Sequence, residues 1–508
     1  MRPSQVVLES NGYAMRPDQM STLRIFDAQA PTQVAGNTKQ NNSDIYIVAN
    51  RLPFEHHAVK GWRRSPGGLV SALEPALQKE GGMWVGWRGS HVPEESRGQS
   101  STLPPKSGNI AIIEVHMTQR EESDFYDGAC NAALWPLYHG AATVPVFRDE
   151  EFEVYRRINQ RFADCVAQNA PPGALVWVND YQLQLVPALL REVRPDLCVG
   201  FFLHVPFPSP VKFDVLPWKD SILGGLLGAN LIGFQTATFA GHFIEEVCRR
   251  LPATRDEQGI VLQDATGSRR VAVDVFPIGP DAGRFHGLSA TPAVRDAAAT
   301  IRANFGEPEL ILLGVDRLDY TKGIEPRIRA VTDILTSIEF RDRDIQFIQV
   351  AVPSRSKLTA YQQLRINVEE TLQLANEKLV TLGLRPIHYV YETLQTEQVV
   401  ALYLVADVML VTSLADGMNL VSKEYVACRG DGTGRLVLSR MAGAAVQLRD
   451  AWLVDPSDFD DLKRVIAEAI HAGADEAHER MDRLRWGVLN TDATNWAESF
   501  LSRLREAR

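Results

Sequence analysis

The stretch ADVMLVTSLADGMNLVSKEY, residues 406–425, decides the fold. An apolar run ends in small residues, a turn follows at Asp416 and Gly417, and a helical pattern begins near Gly417, so the segment reads as a buried strand, a turn and a helix. That reading puts Asp416 at the helix N-cap. At 1.5 Å rise per residue, Glu424 then lies roughly 12 Å further along the helix axis. Taken alone, the ten residues from Asp416 to Tyr425 are read most simply as a capping aspartate and a solvated glutamate. Their neighbours along the chain change that balance.

The same strand–turn–helix unit recurs from Ile45 onward. IYIVAN, MWVGW, IAIIEV, ALVWV, LCVGFFLHV, LIGF and VAVDVF form one series, and LILLGVD, FIQVAV, HYVY, VMLVTS and RLVLS form a second. Short apolar runs alternating with helical patterns predict α/β architecture with parallel strands. Proline and glycine break the pattern between Pro277 and Gly283. We therefore expect a loosely ordered polar tail at 1–43, one sheet domain at 44–278, a second at 279–489, and a terminal helix at 490–508 that packs on either.

Polar residues follow the strands at once: Asn179, Asp180 and Tyr181 after ALVWV, His204 after VGFFL, Asp316 and Arg317 after LILLGV, Ser354 and Arg355 after FIQVAVP, Asp416 and Asn419 after VMLVTS. Ligands of open parallel sheets bind outside the carboxyl ends of the strands, so five such groups from both halves predict one crevice between two domains. DRLDYTKG (316–323) sets Arg317 and Lys322 around a turn before a helix expected from Ile324. Two cations at a helix N-terminus suit a pyrophosphate. The simpler alternative is a surface ion-pair cluster with Asp316 and Asp319. SPGGL (65–69) carries Gly67 and Gly68 after the first strand, where backbone can approach a phosphate closely. Arg51 ends that first strand. Tyr126 and Trp135, in FYDGACNAALWP, would stack on a sugar or fill a core. Asp342 and Asp344 imitate a metal-binding D-x-D but precede a strand, at the wrong end of the sheet.

Bulk properties set limits. The 508 residues carry a formal net charge of -10, which argues against general nucleic-acid affinity. Five cysteines without a C-x-x-C indicate neither a disulfide framework nor a zinc site and suit a reducing cytoplasm. No apolar run is long enough to span a bilayer, and no signal-peptide layout is present.

Together ANR, SPGGL, NAALWP, NDYQL, FFLHVPFP, DRLDYTKG, PSR and DGMNLVSKEY resemble the trehalose-6-phosphate synthase family, retaining sugar-nucleotide glycosyltransferases of the two-domain GT-B fold. The resemblance runs from about Ile45 to about Leu504. It implies transfer of glucose from a nucleoside diphosphate to glucose 6-phosphate, with no metal or other cofactor, by a homo-oligomer. Matched residue by residue, it implies Arg317 and Lys322 on the donor phosphates with Gly67 and Gly68 near them, and Glu424 on the ribose. Leu394 would stand beside the base. Asp416 would hold a glucose hydroxyl, helped by backbone around Gly417, Met418, Asn419, Leu420 and Val421, with His204 against the transferred sugar. Asp180, Tyr126 and Trp135 would position the acceptor, and Arg51 and Arg355 would clamp its phosphate. Ala415 stands where relatives carry arginine, and NDYQL where many read HDYHL, which leaves UDP, ADP and GDP open as the donor nucleotide. Glycerol 3-phosphate or an aminocyclitol phosphate remain alternative acceptors. A silent sugar-phosphate-binding homologue is the rival from another class, although it predicts decay of the donor motif. The length leaves no room for the phosphatase domain fused in some relatives.

Overall fold

The computed structural model describes residues 44–57, 61–64, 73, 81–91, 110–140, 143–264 and 267–508. The 1–43 tail and the two glycines Gly67 and Gly68 lie outside the described residues.

Strands β1 (Ile45–Arg51), β4 (Gly82–Trp87), β5 (Ile110–Glu114), β6 (Leu175–Asn179), β7 (Cys198–Leu203), β8 (Leu231–Phe234), β9 (Ala253–Asp256), β10 (Gly259–Asp264) and β11 (Gly267–Val275) form one nine-stranded sheet in the order β5-β4-β1-β6-β7-β8-β11-β10-β9. A small hairpin pairs β2 (Phe54–His57) with β3 (Gly61–Arg64). The second sheet holds β12 (Leu310–Arg317), β13 (Ile345–Val352), β14 (His388–Val390), β15 (Val408–Val411), β16 (Arg435–Ser439) and β17 (Trp452–Val454), in the order β14-β13-β12-β15-β16-β17. Central strands such as β1, β6 and β7 are buried along nearly their whole length. Helices cover both faces of a parallel sheet, so its strands are apolar throughout rather than alternating.

All twelve apolar runs of the two series are strands, and the chain is α/β with two predominantly parallel sheets. The antiparallel edge β9–β10–β11 and the short β17 add to that reading.

In each sheet the strand order reverses beside the first strand. The chain moves from β1 outward through β4 and β5, then returns to the other side of β1 at β6. It moves from β12 through β13 and β14, then returns to the other side of β12 at β15. Such switch points open a crevice at the carboxyl ends of the strands. Arg51 ends β1, Asp180 follows β6, Arg317 ends β12 and Asp416 follows β15.

The helix Ala493–Glu506 packs on the nine-stranded sheet. Phe500 stacks on Trp177 with ring centroids 4.2 Å apart, and Trp496 lies 5.0 Å from the same ring. Gly200 and Gly233 make room, since a Cβ on either would meet the Phe500 ring at 2.9 or 2.8 Å. The approach of this helix and the segment around Pro280 run side by side: Ala493 N donates to Pro280 O at 3.0 Å, and a Cβ on Gly279 would lie 1.8 Å from Thr491 O.

Candidate active site

The loop after β15 does not begin its helix at Gly417. The helix spans Leu420–Cys428, and Asn419, at φ 79, is its N-cap, with its side chain accepting from Ser422 N at 2.9 Å. Asp416 is thus no cap, and the axial estimate built on that assignment falls with it. Its backbone bridges to Ala442, and its carboxylate accepts from Lys322 Nζ at 2.5 Å and Asn419 Nδ2 at 3.0 Å. Burial pushes Asp416 upward, but Lys322 and Asn419 outweigh it and hold the carboxyl below its usual value. The residue that takes over capping needs a side-chain acceptor and tolerance of positive φ, and asparagine has both.

Gly417 has a steric reason to be glycine. A Cβ there would lie 2.0 Å from His204 O, so the loop of the second sheet presses against the end of β7 in the first. His204 donates from Nε2 to Asn179 Oδ1 at 3.2 Å, and its backbone N–H donates to Asp180 Oδ1, also at 3.2 Å. Burial lowers the His204 imidazole to about 3, so it is neutral near pH 7. Asp180 sits at φ 74, an unusual conformation for a residue with a side chain. Burial raises its carboxyl to about 6, against the backbone N–H groups of Tyr181 and His204 and the charges of Arg317 and Arg355.

Both carboxylates of DRLDYTKG are turned inward, which removes the surface-cluster alternative. Asp316 is buried and pairs with Arg327 at 2.5 Å, so it turns from the crevice into the sheet. Arg327, fully buried, also donates to Gln349 Oε1, Thr412 Oγ1 and Lys322 O and so braces the turn from beneath. Asp319 pairs with Arg355 at 2.9 Å. Arg317 is exposed at the strand end and has no ion pair among the described residues. Gly323, at φ 65, closes the turn, and the helix Ile324–Thr336 starts where the sequence predicts.

Tyr126 and Trp135 are brought to one side by a helix type that periodicity does not reveal. Ser123–Leu134 winds as a π-helix. At about 4.4 residues per turn, nine positions make about two full turns, whereas an α-helix would set the two rings about 180° apart. Arg51 lies over Tyr126 at 5.6 Å and over Trp87 at 4.1 Å. Trp135 has Arg355 at 3.9 Å and the His139 ring at 4.0 Å from its centroid, with Arg317 at 5.5 Å. Arg355 and the His139 ring, the latter tilted by 35°, both crowd the Trp135 ring. Its buried Nε1–H has no partner among the described residues and is free to donate.

Glu424 and Leu394 stand apart from this cluster. Glu424 accepts from Tyr403 OH at 3.0 Å, and burial raises its carboxyl to about 7, with Arg284 opposing. Leu394 is partly buried against the core after β14. Lys423 donates to Ile278 O at 2.6 Å and Gln447 Oε1 at 2.5 Å, and burial lowers its amine to about 7. Asp342 and Asp344 do precede β13, at the far end of the sheet, and Asp344 pairs with Arg385.

Tyr181 follows its strand as the sequence predicts, whereas two further contributors, Tyr361 and His139, were not singled out by the sequence. Tyr181 lies inside NDYQL and faces Arg355, its OH 3.4 Å from NH2. His139 lies four residues after Trp135, with Nδ1 2.9 Å from the Trp135 carbonyl. Tyr361 lies in a helix with no motif around it.

The model for glycosyltransferase family 20 matches residues 40–506. The trehalose-6-phosphate synthase of Mycolicibacterium paratuberculosis is 42% identical over 476 residues, 92% of this chain and 96% of that protein. Two solved structures superpose with a TM-score of 0.82 at 29% identity over 91% of this chain. One is the E. coli trehalose-6-phosphate protein bound with UDP-2-fluoro glucose, covered to 98%. The other is the UDP-forming α,α-trehalose-phosphate synthase of Burkholderia xenovorans in complex with glucose-6-phosphate, covered to 99%.

Proposed function

Because the chain belongs to glycosyltransferase family 20, we propose that it moves glucose from a nucleoside diphosphate glucose to glucose 6-phosphate, with retention, giving α,α-trehalose 6-phosphate. The two ligands of the solved relatives are carried here to the crevice between the sheets. The observation that carries the reading is the convergence of cations from both switch points: Arg51 from the first sheet, and Arg317, Lys322 and Arg355 from the second, with Arg317 and Arg355 meeting over Trp135 of the first. Two separate phosphate groups, one on each substrate, account for cations in such number.

In this reading residues 279–489 hold the nucleotide and 44–278 the acceptor. Arg317 and Lys322 stabilise the leaving diphosphate at the N-terminus of helix Ile324–Thr336, where backbone N–H groups also point outward. Glu424 takes the ribose, and Asp416 holds a glucose hydroxyl through the carboxylate that Lys322 orients. Arg51 and Arg355 bind the 6-phosphate, while Asp180 orients the acceptor sugar. The bond from the anomeric carbon to the diphosphate breaks as the acceptor's anomeric hydroxyl attacks on the same face. Its proton passes to the departing phosphate oxygen, so no protein carboxylate need act as nucleophile. The protein supplies position and preorganised charge. Incubation with UDP-, ADP- or GDP-glucose and glucose 6-phosphate, followed by mass and anomeric NMR analysis, tests the proposal. A non-reducing α,α-linked disaccharide phosphate is expected. Product only with glycerol 3-phosphate or a cyclitol phosphate, or none with any donor, overturns it.

A further inference from the structure

Asp319 is the most heavily bonded carboxylate of the site, and no substrate role accounts for it. Its side chain is 0% exposed. Oδ1 accepts from Thr321 N at 3.0 Å and Thr321 Oγ1 at 2.9 Å, and Oδ2 accepts from Arg355 NH1 at 2.9 Å and Tyr361 OH at 2.8 Å. Burial pushes this carboxyl up, but Arg355, Arg317 and Lys322 outweigh it and hold it well below the usual range. It is a fixed negative charge among the cations.

The arginine it holds is used on one side only. Arg355 NH1 is taken by Asp319 and by Tyr361 OH at 2.5 Å. Among the described residues NH2 has only the long 3.4 Å contact with Tyr181 OH, and the buried Nε has no partner. The Trp135 ring at 3.9 Å fixes the guanidinium plane, and the backbone at φ 46 adopts a conformation that a residue other than glycine keeps only when its surroundings impose it. Nε and NH2 form the side edge of the fork, which meets two oxygens of a phosphate in parallel.

The other oxygen of Asp319 acts on the donor side. Thr321 immediately precedes Lys322, and the Thr321 carbonyl accepts from Leu414 N at 2.7 Å, in the loop that carries Asp416. Resting on the proposed acceptor, we propose that Asp319 is a positioning residue: with Tyr361 it presents the Nε–NH2 edge of Arg355 to the acceptor phosphate, and through Thr321 it sets the Lys322 turn. One carboxylate thereby registers the two phosphate-binding halves of the site against each other.

The test uses the full chain and calorimetric binding, with UDP present, of glucose 6-phosphate to the parent, Tyr361→Phe and Asp319→Asn, each with Arg355 intact and with Arg355→Ala. Tyr361→Phe removes one hydroxyl and keeps the ring, so it guards against an Asp319 variant that does not fold. Expected are about tenfold weaker binding for Tyr361→Phe and tenfold to a hundredfold for Asp319→Asn, with no further loss from either once Arg355 is alanine. UDP alone should bind Tyr361→Phe as it binds the parent and Asp319→Asn several-fold less tightly. Parent-like affinity in Tyr361→Phe, equal losses in the Arg355→Ala background, or no binding of glucose 6-phosphate to the parent overturns the inference. If the couplings hold while the parent makes no disaccharide, the proposed reaction fails and the positioning role stands.

Discussion

Glu424→Gln separates the two states of a carboxyl whose environment is set by burial. In the free protein Glu424 titrates near 7 instead of 4.5, because its side chain is largely withdrawn from water with only Tyr403 OH as a close donor among the described residues. Between those two values the folded chain keeps a proton that the unfolded chain has lost, so stability falls as pH rises from 4.5 through 7 and is level above. The shift of roughly 2.5 units corresponds to at most about 3 kcal/mol, trimmed by the solvent that reaches the partly exposed side chain. Glutamine imitates the protonated acid, keeps an acceptor for Tyr403 and does not titrate. The variant should therefore melt like the parent near pH 4.5 and a few degrees higher at pH 8. Lys423 also titrates near 7, but it is present in both proteins and cancels in the difference. Nucleotide reverses the order. Ribose hydroxyls donating to an ionised carboxylate pull its pKa down, and at pH 7 about half of the free Glu424 is protonated, so UDP binding there should release up to about half a proton, read as a dependence of the calorimetric heat on buffer ionisation. In Glu424→Gln that release should vanish and UDP should bind about tenfold to a hundredfold more weakly at pH 8. Unchanged UDP affinity with identical melting at pH 8 refutes both the ribose role and the burial argument.

Arg317→Ala should lower kcat by about two to three orders of magnitude, since the exposed guanidinium at the end of β12 is read as stabilising the leaving diphosphate; near-normal turnover in a folded variant refutes this. Asp416→Asn keeps the Asn419 cap but leaves Lys322, buried and 2.5 Å away, without its counter-charge. Breaking such a pair costs up to about 3 kcal/mol, so melting should fall and turnover collapse by at least about a hundredfold, and normal turnover removes Asp416 from the mechanism. Arg355→Ala should raise the KM for glucose 6-phosphate about tenfold to a hundredfold while leaving unphosphorylated glucose as poor an acceptor as before. Equal effects on both acceptors exclude a phosphate contact.

The strands were legible because parallel sheets bury both faces, which leaves uninterrupted apolar runs such as IYIVAN and LILLGVD, and the polar residue after each run marked its crevice end. What stayed hidden depended on contacts distant in sequence. Nothing around Tyr361 signals that its hydroxyl reaches Asp319, 42 positions away. The inward turn of Asp316 rests on a buried arginine eleven residues on, which a string of charges does not distinguish from an exposed one. The helix start at Leu420 was misplaced because Asp416 and Asn419 are both good caps, and only the bridge from Asp416 to Ala442 selects between them. The π-helix is invisible to periodicity because Ser123–Leu134 is rich in small residues that fit either winding.

The side-by-side passage of the chain near Pro280 and Ala493 has a consequence for the order of synthesis. The face of the nine-stranded sheet carrying Trp177 and Phe202 is complete as backbone once β11 has been made, yet its cover is Trp496 and Phe500, more than two hundred residues later. A chain emerging from the ribosome therefore holds an open aromatic surface throughout translation of the entire second sheet, a window in which chaperones or misassociation compete for it. Deleting residues 493–506 would make that window permanent, so such a truncation should be recovered as aggregate or chaperone complex even though every residue of the proposed crevice is retained.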